Sequence, residues 1–261
     1  MSESGYVQEI TISDKNNSKI HLKKEPIKYM NSAIGVLGPP GAGKSSICCA
    51  YYKTQYNMNN NYFKISSSNV SFTKGIWMLK ESERMNIKGN IERDILDCEG
   101  FQVDEIKSWK YVMIISFICS EIIILNRNTR LDDTKKVLNI IKNSLLKMRE
   151  SNIPKLLKKI YIQMKKTKDF ENFDNQLKEI GFQPDSIENV VIKPILIPNI
   201  GDDTLEDNDN NILKVKKYLD QVKESFNNIA KNSIEQSISN NFILLLILSK
   251  IEKKLLDELF K

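Results

Sequence analysis

Residues 38–45 read Gly-Pro-Pro-Gly-Ala-Gly-Lys-Ser, which fills the phosphate-loop pattern of a glycine, four residues, Gly-Lys and then Ser or Thr. Glycines let the backbone curl so that successive N–H groups point at one phosphate chain. In this pattern Lys44 reaches the β- and γ-phosphates, and the Ser45 hydroxyl ligates Mg²⁺. The spacing therefore predicts a site for a polyphosphate, which is also stabilised by a helix N-terminus.

The flanking residues supply the context that this motif needs. Residues 33–37 form an apolar run typical of a buried strand, and residues 46–52 can open a helix. Strand, glycine turn and helix in that order favour a phosphate loop over a glycine-rich turn that holds a lysine by chance. The candidate phosphate contacts are Gly38, Gly41, Ala42, Gly43, Lys44, Ser45 and Ser46.

Two later residues extend the predicted site to a metal ion. Thr73 follows an Asn-rich loop at 57–61, and a threonine there can complete a Mg²⁺ shell, although it also fits an ordinary strand entry. Asp97 follows the apolar pair Ile95 and Leu96, as in a strand that ends at a nucleotide, although a solvated turn residue also fits. A carboxylate at that edge can hold Mg²⁺. The order of the three segments predicts nucleotide binding.

Two of these segments also resemble a known family. Thr-Lys-Gly-Ile-Trp-Met at 73–78 and Leu-Asp-Cys-Glu-Gly at 96–100 resemble the switch motifs of the dynamin-related large GTPases. The groups they resemble most are the guanylate-binding proteins, the atlastins and the root-hair-defective (Sey) class. Residues 119–126 resemble the family's helix end and following strand, and Lys-Asp-Phe at 168–170 resembles its Arg-Asp base-recognition motif. The resemblance is thin beyond residue 170.

The resemblance implies a GTPase that hydrolyses GTP to GDP with Mg²⁺, and it assigns roles by position. The implied catalytic residues are Lys44, Ser71, Thr73 and Glu99; the Mg²⁺ residues are Ser45, Thr73 and Asp97; and Gly100, Lys168 and Asp169 join the nucleotide contacts. Asp169 would accept hydrogen bonds from the N1–H and the exocyclic amine of guanine. Adenine offers no such donor pair and would leave the carboxylate unpaired.

The chain departs from the family at two of these positions. Gly41 stands where guanylate-binding proteins and atlastins carry an arginine finger, a group worth about 10³–10⁵ in rate in this chemistry. The resemblance therefore implies slow turnover, a monovalent cation in place of the arginine, or a finger supplied by a partner. Lys168 stands where the family's base motif has arginine.

Two other functions remain open from the sequence. A binding module that takes nucleotide but hardly hydrolyses it would fit the glycine at position 41. A phosphate-loop ATPase or small-molecule kinase would fit residues 38–45, but the segments at 73–78 and 96–100 argue against it.

The order of strand and helix signals predicts the fold class. Alternating strands and helices in a chain of 261 residues favour a mainly parallel, three-layer α/β phosphate-loop domain followed by C-terminal helices. The expected strands are 33–37, 75–79, 94–96, 121–126, 159–163 and 190–197, preceded by two half-buried strands around Ile10 and Ile20. The GTPase resemblance implies that the second and third of the six pair as an antiparallel hairpin.

The chain divides into two predicted parts. Residues 1–203 form the GTPase domain with its N-terminal strand arm, and residues 204–261 form a helical hairpin or truncated stalk. The resemblance implies dimerisation through the GTPase domain.

Charge is uneven along the chain, whose formal net charge is +6. The lysine-rich stretch 135–168 fits either attraction to an anionic membrane surface or nucleic acid, or the solvated face of an amphipathic helix. We favour the helix, because apolar residues from Val137 to Met148 recur at helical spacing. Aromatic residues do not interleave the lysines, so no nucleic-acid partner is expected, whereas peripheral membrane contact stays open.

The cysteines and the one histidine exclude several site types. Cys48, Cys49, Cys98 and Cys119 lack metal-ligand spacing and are expected to be reduced thiols of a cytoplasmic protein. His21 is the single histidine, which argues against a Ser-His-Asp triad and a histidine-centred metal site. The longest apolar run, 242–248, falls far short of the ~20 residues of a membrane span.

Overall fold

A computed structural model describes residues 7–12, 20–22, 32–58, 62–63, 65, 75–79, 93–100, 106–126, 131–150, 152, 155–197 and 211–231. Its strands are β1 Val7–Ile12, β2 Ile20–Leu22, β3 Ser32–Leu37, β4 Ile76–Leu79, β5 Arg93–Cys98, β6 Glu121–Ile124, β7 Lys159–Met164 and β8 Val191–Leu196. Its helices are α1 Lys44–Tyr56, α2 Ile106–Ile118, α3 Asp132–Glu150, α4 Thr167–Glu171, α5 Phe173–Glu179 and α6 Asn211–Lys231.

The eight described strands form one sheet in the order β2-β1-β4-β5-β3-β6-β7-β8. Strands β5, β3, β6, β7 and β8 are parallel, whereas β4 pairs antiparallel with both β5 and β1. The mainly parallel α/β fold is confirmed, as are the antiparallel pairing of β4 with β5 and the two N-terminal strands. Because the five parallel strands point the same way, their carboxyl ends meet at one edge.

Helices cover both faces of this sheet. One apolar cluster packs residues of α2, α3 and α5 against the sheet, and a second packs residues of α1 and α6 against its other face. At Gly35 of β3, an added Cβ would lie 2.4 Å from Cγ2 of Ile115, so the glycine lets α2 approach the strand closely. The three-layer arrangement predicted from the sequence is thus confirmed.

Helix α3 shows the amphipathic pattern expected of it. Its buried side holds Val137, Leu138, Ile141, Ser144, Leu145 and Met148, and its exposed side holds Lys135, Lys136, Lys142 and Lys147. The lysine-rich stretch therefore includes a solvated helix face, as the spacing indicated.

Helix α6 is the first of the two predicted C-terminal helices, and it packs on α1. The ring centroids of Phe226 and Tyr51 lie 4.9 Å apart, and Ser225 Oγ donates a hydrogen bond of 2.6 Å to the Leu196 carbonyl. The second helical pattern, 234–259, lies outside the described residues, and the division of the chain at residues 203 and 204 stays a prediction. Among the helices described, none has the length and apolarity to cross a bilayer.

Candidate functional site

The phosphate-loop residues form a tight turn between β3 and α1. Gly41 and Gly43 have φ values of 76° and 85°, in the left-handed region that glycine adopts without steric cost. The Ala42 N–H donates to the Pro39 carbonyl at 3.2 Å, and the first helical bond runs from the Ile47 N–H to the Gly43 carbonyl at 2.9 Å. Helix α1 therefore begins directly after this glycine turn, at the carboxyl edge of the sheet.

Lys44 begins α1 and folds back over this turn. Its side chain is buried, with the residue only 6% exposed, and Nζ donates a hydrogen bond of 2.9 Å to the Pro39 carbonyl. Burial lowers the pKa of Lys44, and the nearby Asp97 carboxylate acts in the opposite direction. The ammonium is thus held at the loop by a neutral acceptor and lies in the field of two carboxylates, those of Asp97 and Glu99.

Ser45 and Asp97 meet although they are far apart in sequence. Ser45 Oγ donates a hydrogen bond of 2.6 Å to Oδ2 of Asp97. Asp97 is brought there because β5 pairs in parallel with β3, which places Asp97 opposite Val36, just before the loop. A hydroxyl and a carboxylate are oxygen ligands of the kind Mg²⁺ takes when phosphates and water complete its shell. The pair therefore fits Mg²⁺.

The segment after Asp97 also packs against the loop and against the start of β4. Glu99 Oε2 accepts a hydrogen bond from the Gly75 N–H at 2.9 Å, and the Glu99 N–H donates to the Gly75 carbonyl at 2.6 Å. A Cβ added at Gly100 would lie 2.7 Å from the Pro40 nitrogen. Glu99 and Gly100 are therefore brought to the phosphate loop, whereas Ser71 and Thr73 lie outside the described residues.

The predicted base-binding residues follow β7 at the same edge of the sheet. Lys168 and Asp169 lie in α4, a five-residue helix with no buried side chain. Lys168 is exposed and Asp169 is partly exposed. The structure places both beside the carboxyl ends of β7 and β8, which α4 contacts.

Two buried amides at this edge were not among the predicted site residues. The Asn126 N–H donates to Gln163 Oε1 at 3.0 Å, and Gln163 Nε2 donates to the Ile197 carbonyl at 2.7 Å. The available signal was a polar residue directly after an apolar run, Asn126 after 122–125 and Gln163 after 160–162. The predicted strand 121–126 in fact ends at Ile124, so Asn126 lies just after the strand.

All four cysteines are unpaired and buried, as expected of reduced thiols. Burial raises the pKa of Cys49 to about 11 and raises that of Cys98 as well. Thiols with raised pKa values are poor nucleophiles near neutral pH. Burial therefore makes these cysteines poorly suited to nucleophilic chemistry.

No protein-family model and no curated protein sequence matches this chain. Among solved structures, it is similar to the signal recognition particle receptor SRb-GTP/SRX complex of Chaetomium thermophilum, at 16% identity and a TM-score of 0.39, with 67% of this chain and 93% of that chain covered. It is also similar to a nucleolar GTP-binding protein 1 of Plasmodium falciparum, at 14% identity and a TM-score of 0.31, with 80% of this chain and 93% of that chain covered. The fold assignment itself comes from the sheet order and the phosphate-loop turn between β3 and α1.

Proposed function

We propose that this protein binds GTP with Mg²⁺ and hydrolyses it to GDP. The observation that carries the proposal is the 2.6 Å hydrogen bond between Ser45 Oγ and Asp97 Oδ2, directly beside the buried Lys44. This arrangement places a cation, a hydroxyl and a carboxylate at the start of α1, where backbone N–H groups favour a polyphosphate.

The chain's own residues would act mainly by binding and orientation. The amides of residues 41–46 and the Lys44 ammonium would hold the phosphates, and Lys44 would exchange its bond to the Pro39 carbonyl for a charge-assisted bond to phosphate. Ser45 and Asp97 would hold Mg²⁺, which neutralises charge that develops on the phosphate oxygens during hydrolysis. Glu99 and Gly100, which follow Asp97, would lie beside the terminal phosphate.

Guanine recognition is the part of the proposal assigned to Asp169. Its carboxylate would accept hydrogen bonds from the guanine N1–H and exocyclic amine, with Lys168 beside it. Support comes from the position of α4, directly after β7 at the edge where the phosphate loop lies. By family resemblance, Ser71 and Thr73 complete the proposed catalytic residues, and the domain dimerises. The reduced cysteines support a cytoplasmic location, and the lysine-rich stretch leaves peripheral membrane contact open.

Slow turnover belongs to the same proposal. Gly41 offers no side chain to the transition state, and its φ of 76° disfavours any arginine introduced there. The same glycine favours a second candidate function, a nucleotide-binding scaffold with little hydrolysis. Phosphate release over several turnovers, with and without K⁺, separates the two functions.

The Mg²⁺ dependence of binding tests the carrying observation. We expect Mg²⁺ to tighten binding of a fluorescent GTP analogue to the wild type, and Ser45→Ala to remove most of that gain while leaving binding in EDTA unchanged. Thr54→Ala, at the far end of the same helix, is the matched control and should retain the full Mg²⁺ effect. An undiminished Mg²⁺ effect in Ser45→Ala would refute the assignment.

A further inference from the structure

A buried hydrogen-bonded cluster joins the carboxyl ends of three strands at the proposed base-binding side. It consists of Asn126 after β6, Gln163 in β7 and Thr134 in α3, which are 7%, 4% and 0% exposed. Thr134 Oγ1 donates to Asn126 Oδ1 at 2.6 Å, and Asn126 Nδ2 donates to the backbone carbonyl of Gln163 at 3.2 Å. Gln163 then reaches β8 through the Ile197 carbonyl, so the cluster spans β6, β7 and the end of β8.

The chemistry of the cluster requires an amide at position 163. The Asn126 N–H needs an acceptor and the Ile197 carbonyl needs a donor, and the two ends of one glutamine side chain supply both. An ionised carboxylate could not donate to Ile197, and an apolar side chain would leave both buried groups unsatisfied. A buried group left unsatisfied costs about 1–3 kcal/mol, so the network favours a single geometry for the three chain segments.

One of the segments held by this cluster leads to the residue assigned to the base. Gln163 lies six residues before Asp169, and the Ile197 N–H is fixed to the Met164 carbonyl at 3.0 Å. The helix α4, which carries Asp169, contacts both β7 and β8. One side chain, that of Gln163, therefore ties together the carboxyl ends of the two strands that α4 contacts.

We propose that Gln163, braced by Asn126 and Thr134, is a positioning residue for guanine recognition, which fixes the carboxyl ends of β7 and β8 where α4 contacts them and so sets the position of Asp169. This inference rests on the proposed function, and it assigns to the cluster selectivity for the base rather than affinity for the phosphates. Two buried serines of α2 and α3 show the contrast, since Ser116 and Ser144 donate to carbonyls four residues back in their own helices.

The test compares base selectivity with phosphate affinity in Gln163→Met, a variant of similar length that can neither accept nor donate at the amide positions. GTP, ATP and inorganic tripolyphosphate compete against a fluorescent GTP analogue in Mg²⁺, below the unfolding temperature of every variant. We expect the GTP-over-ATP preference to fall about tenfold, because a small misplacement of binding groups is costly. The affinity for tripolyphosphate should change by less than about twofold.

Two further variants separate positioning from general damage. Ser116→Ala removes a different buried side-chain hydrogen bond and should leave the GTP-over-ATP preference unchanged. Thr134→Val removes the donor to Asn126 and should reduce the GTP-over-ATP preference, whereas Thr134→Ser keeps the hydroxyl and should retain that preference. These two variants test the positioning role if Gln163→Met does not fold.

A parallel loss of GTP and tripolyphosphate affinity, or an unchanged preference in both Gln163→Met and Thr134→Val, would overturn the positioning role. A wild type that binds tripolyphosphate yet shows no preference between GTP and ATP would instead overturn the proposed function, and this inference would go with it.

Discussion

Buried charged side chains lie at both ends of the parallel strands, the amino edge and the carboxyl edge, but their partners differ. Near the amino edge, Arg93 Nη1 lies 2.8 Å from Glu121 Oε2, and Lys159 Nζ lies 3.8 Å from Glu121 Oε1. At the carboxyl edge, the Lys44 ammonium instead bonds to the neutral Pro39 carbonyl. The amino edge therefore pairs opposite charges directly, whereas at the carboxyl edge Lys44 donates to a neutral carbonyl with the Asp97 and Glu99 carboxylates nearby, and an anionic ligand would add a directly bonded partner.

This difference separates charges that hold the fold from charges placed for a ligand. Burial raises the pKa of Glu121, and Arg93 and Lys159 both act against that rise, so each cation stabilises the charged form of Glu121. Burial lowers the pKa of Lys44, which makes its charge costly until a phosphate is bound. Variants at the carboxyl edge should therefore mainly affect ligand binding, and variants at the amino edge should mainly affect stability.

The largest expected effect is on ligand binding at the carboxyl edge. Lys44→Met should weaken binding of a fluorescent GTP analogue by about 100-fold or more, because it removes a charge-assisted contact to phosphate. The midpoint of thermal unfolding without nucleotide should stay level or rise, since a costly buried charge is gone. Lys53→Met, in the same helix, should change neither property. A large fall in unfolding temperature for Lys44→Met would assign Lys44 to the fold rather than to a ligand.

The converse effect is expected at the amino edge. Arg93→Met leaves the Glu121 carboxylate, whose side chain is 5% exposed, with Lys159 alone, and should cost about 2 kcal/mol of unfolding free energy at neutral pH. Because the folded-state pKa of Glu121 then rises further, the cost should shrink as pH falls toward the ordinary range of a glutamate, where the carboxyl is protonated in both states.

Denaturant unfolding at a series of pH values measures that trend. Arg149→Met, which breaks an exposed ion pair with Glu188, is the matched control and should stay within about 0.5 kcal/mol of the wild type. A cost for Arg93→Met that is the same at acid and neutral pH, or a loss of nucleotide binding, would contradict the separation of the two edges.

The smallest effect is expected at Gly43, which we compare with Gly181, a glycine of similar positive φ. Gly43 and Gly181 have φ values of 85° and 81°, and an added Cβ at either would meet no atom within 4 Å. Alanine at each position should therefore cost about 1 kcal/mol of stability. Only Gly43→Ala should also weaken GTP binding, because Gly43 belongs to the phosphate loop. Equal binding by the two variants would show that the loop's exact curvature is unimportant.

The parts of the molecule that were predictable follow from local patterns. The spacing of residues 38–45 predicted the glycine turn, and the apolar spacing from Val137 to Met148 predicted the buried side of α3. Contacts between strands could not be predicted in the same way. The Ser45–Asp97 bond joins residues 52 apart in sequence and depends on the register of β3 with β5, although the order of the motifs suggested it.

The charged and amide clusters were less accessible to sequence reasoning for the same physical reason. Glu121 gives no local sign of its partners, because Arg93 and Lys159 reach it only through the side-by-side arrangement of parallel strands. Gln163 and Asn126 meet across β6 and β7, and only a known register identifies the donor and the acceptor. Residues such as Thr73 stay predictions, since they lie outside the described part of the chain.

The central claim is that the carboxyl edge is a guanine nucleotide site, and one measurement tests it most directly. Unlabelled GTP and ATP compete against a fluorescent GTP analogue in Mg²⁺, on the wild type and on Asp169→Asn. We expect a strong GTP preference in the wild type that is lost in Asp169→Asn. Equal competition by ATP, or an unchanged preference in Asp169→Asn, would contradict it and favour a phosphate-loop ATPase or kinase.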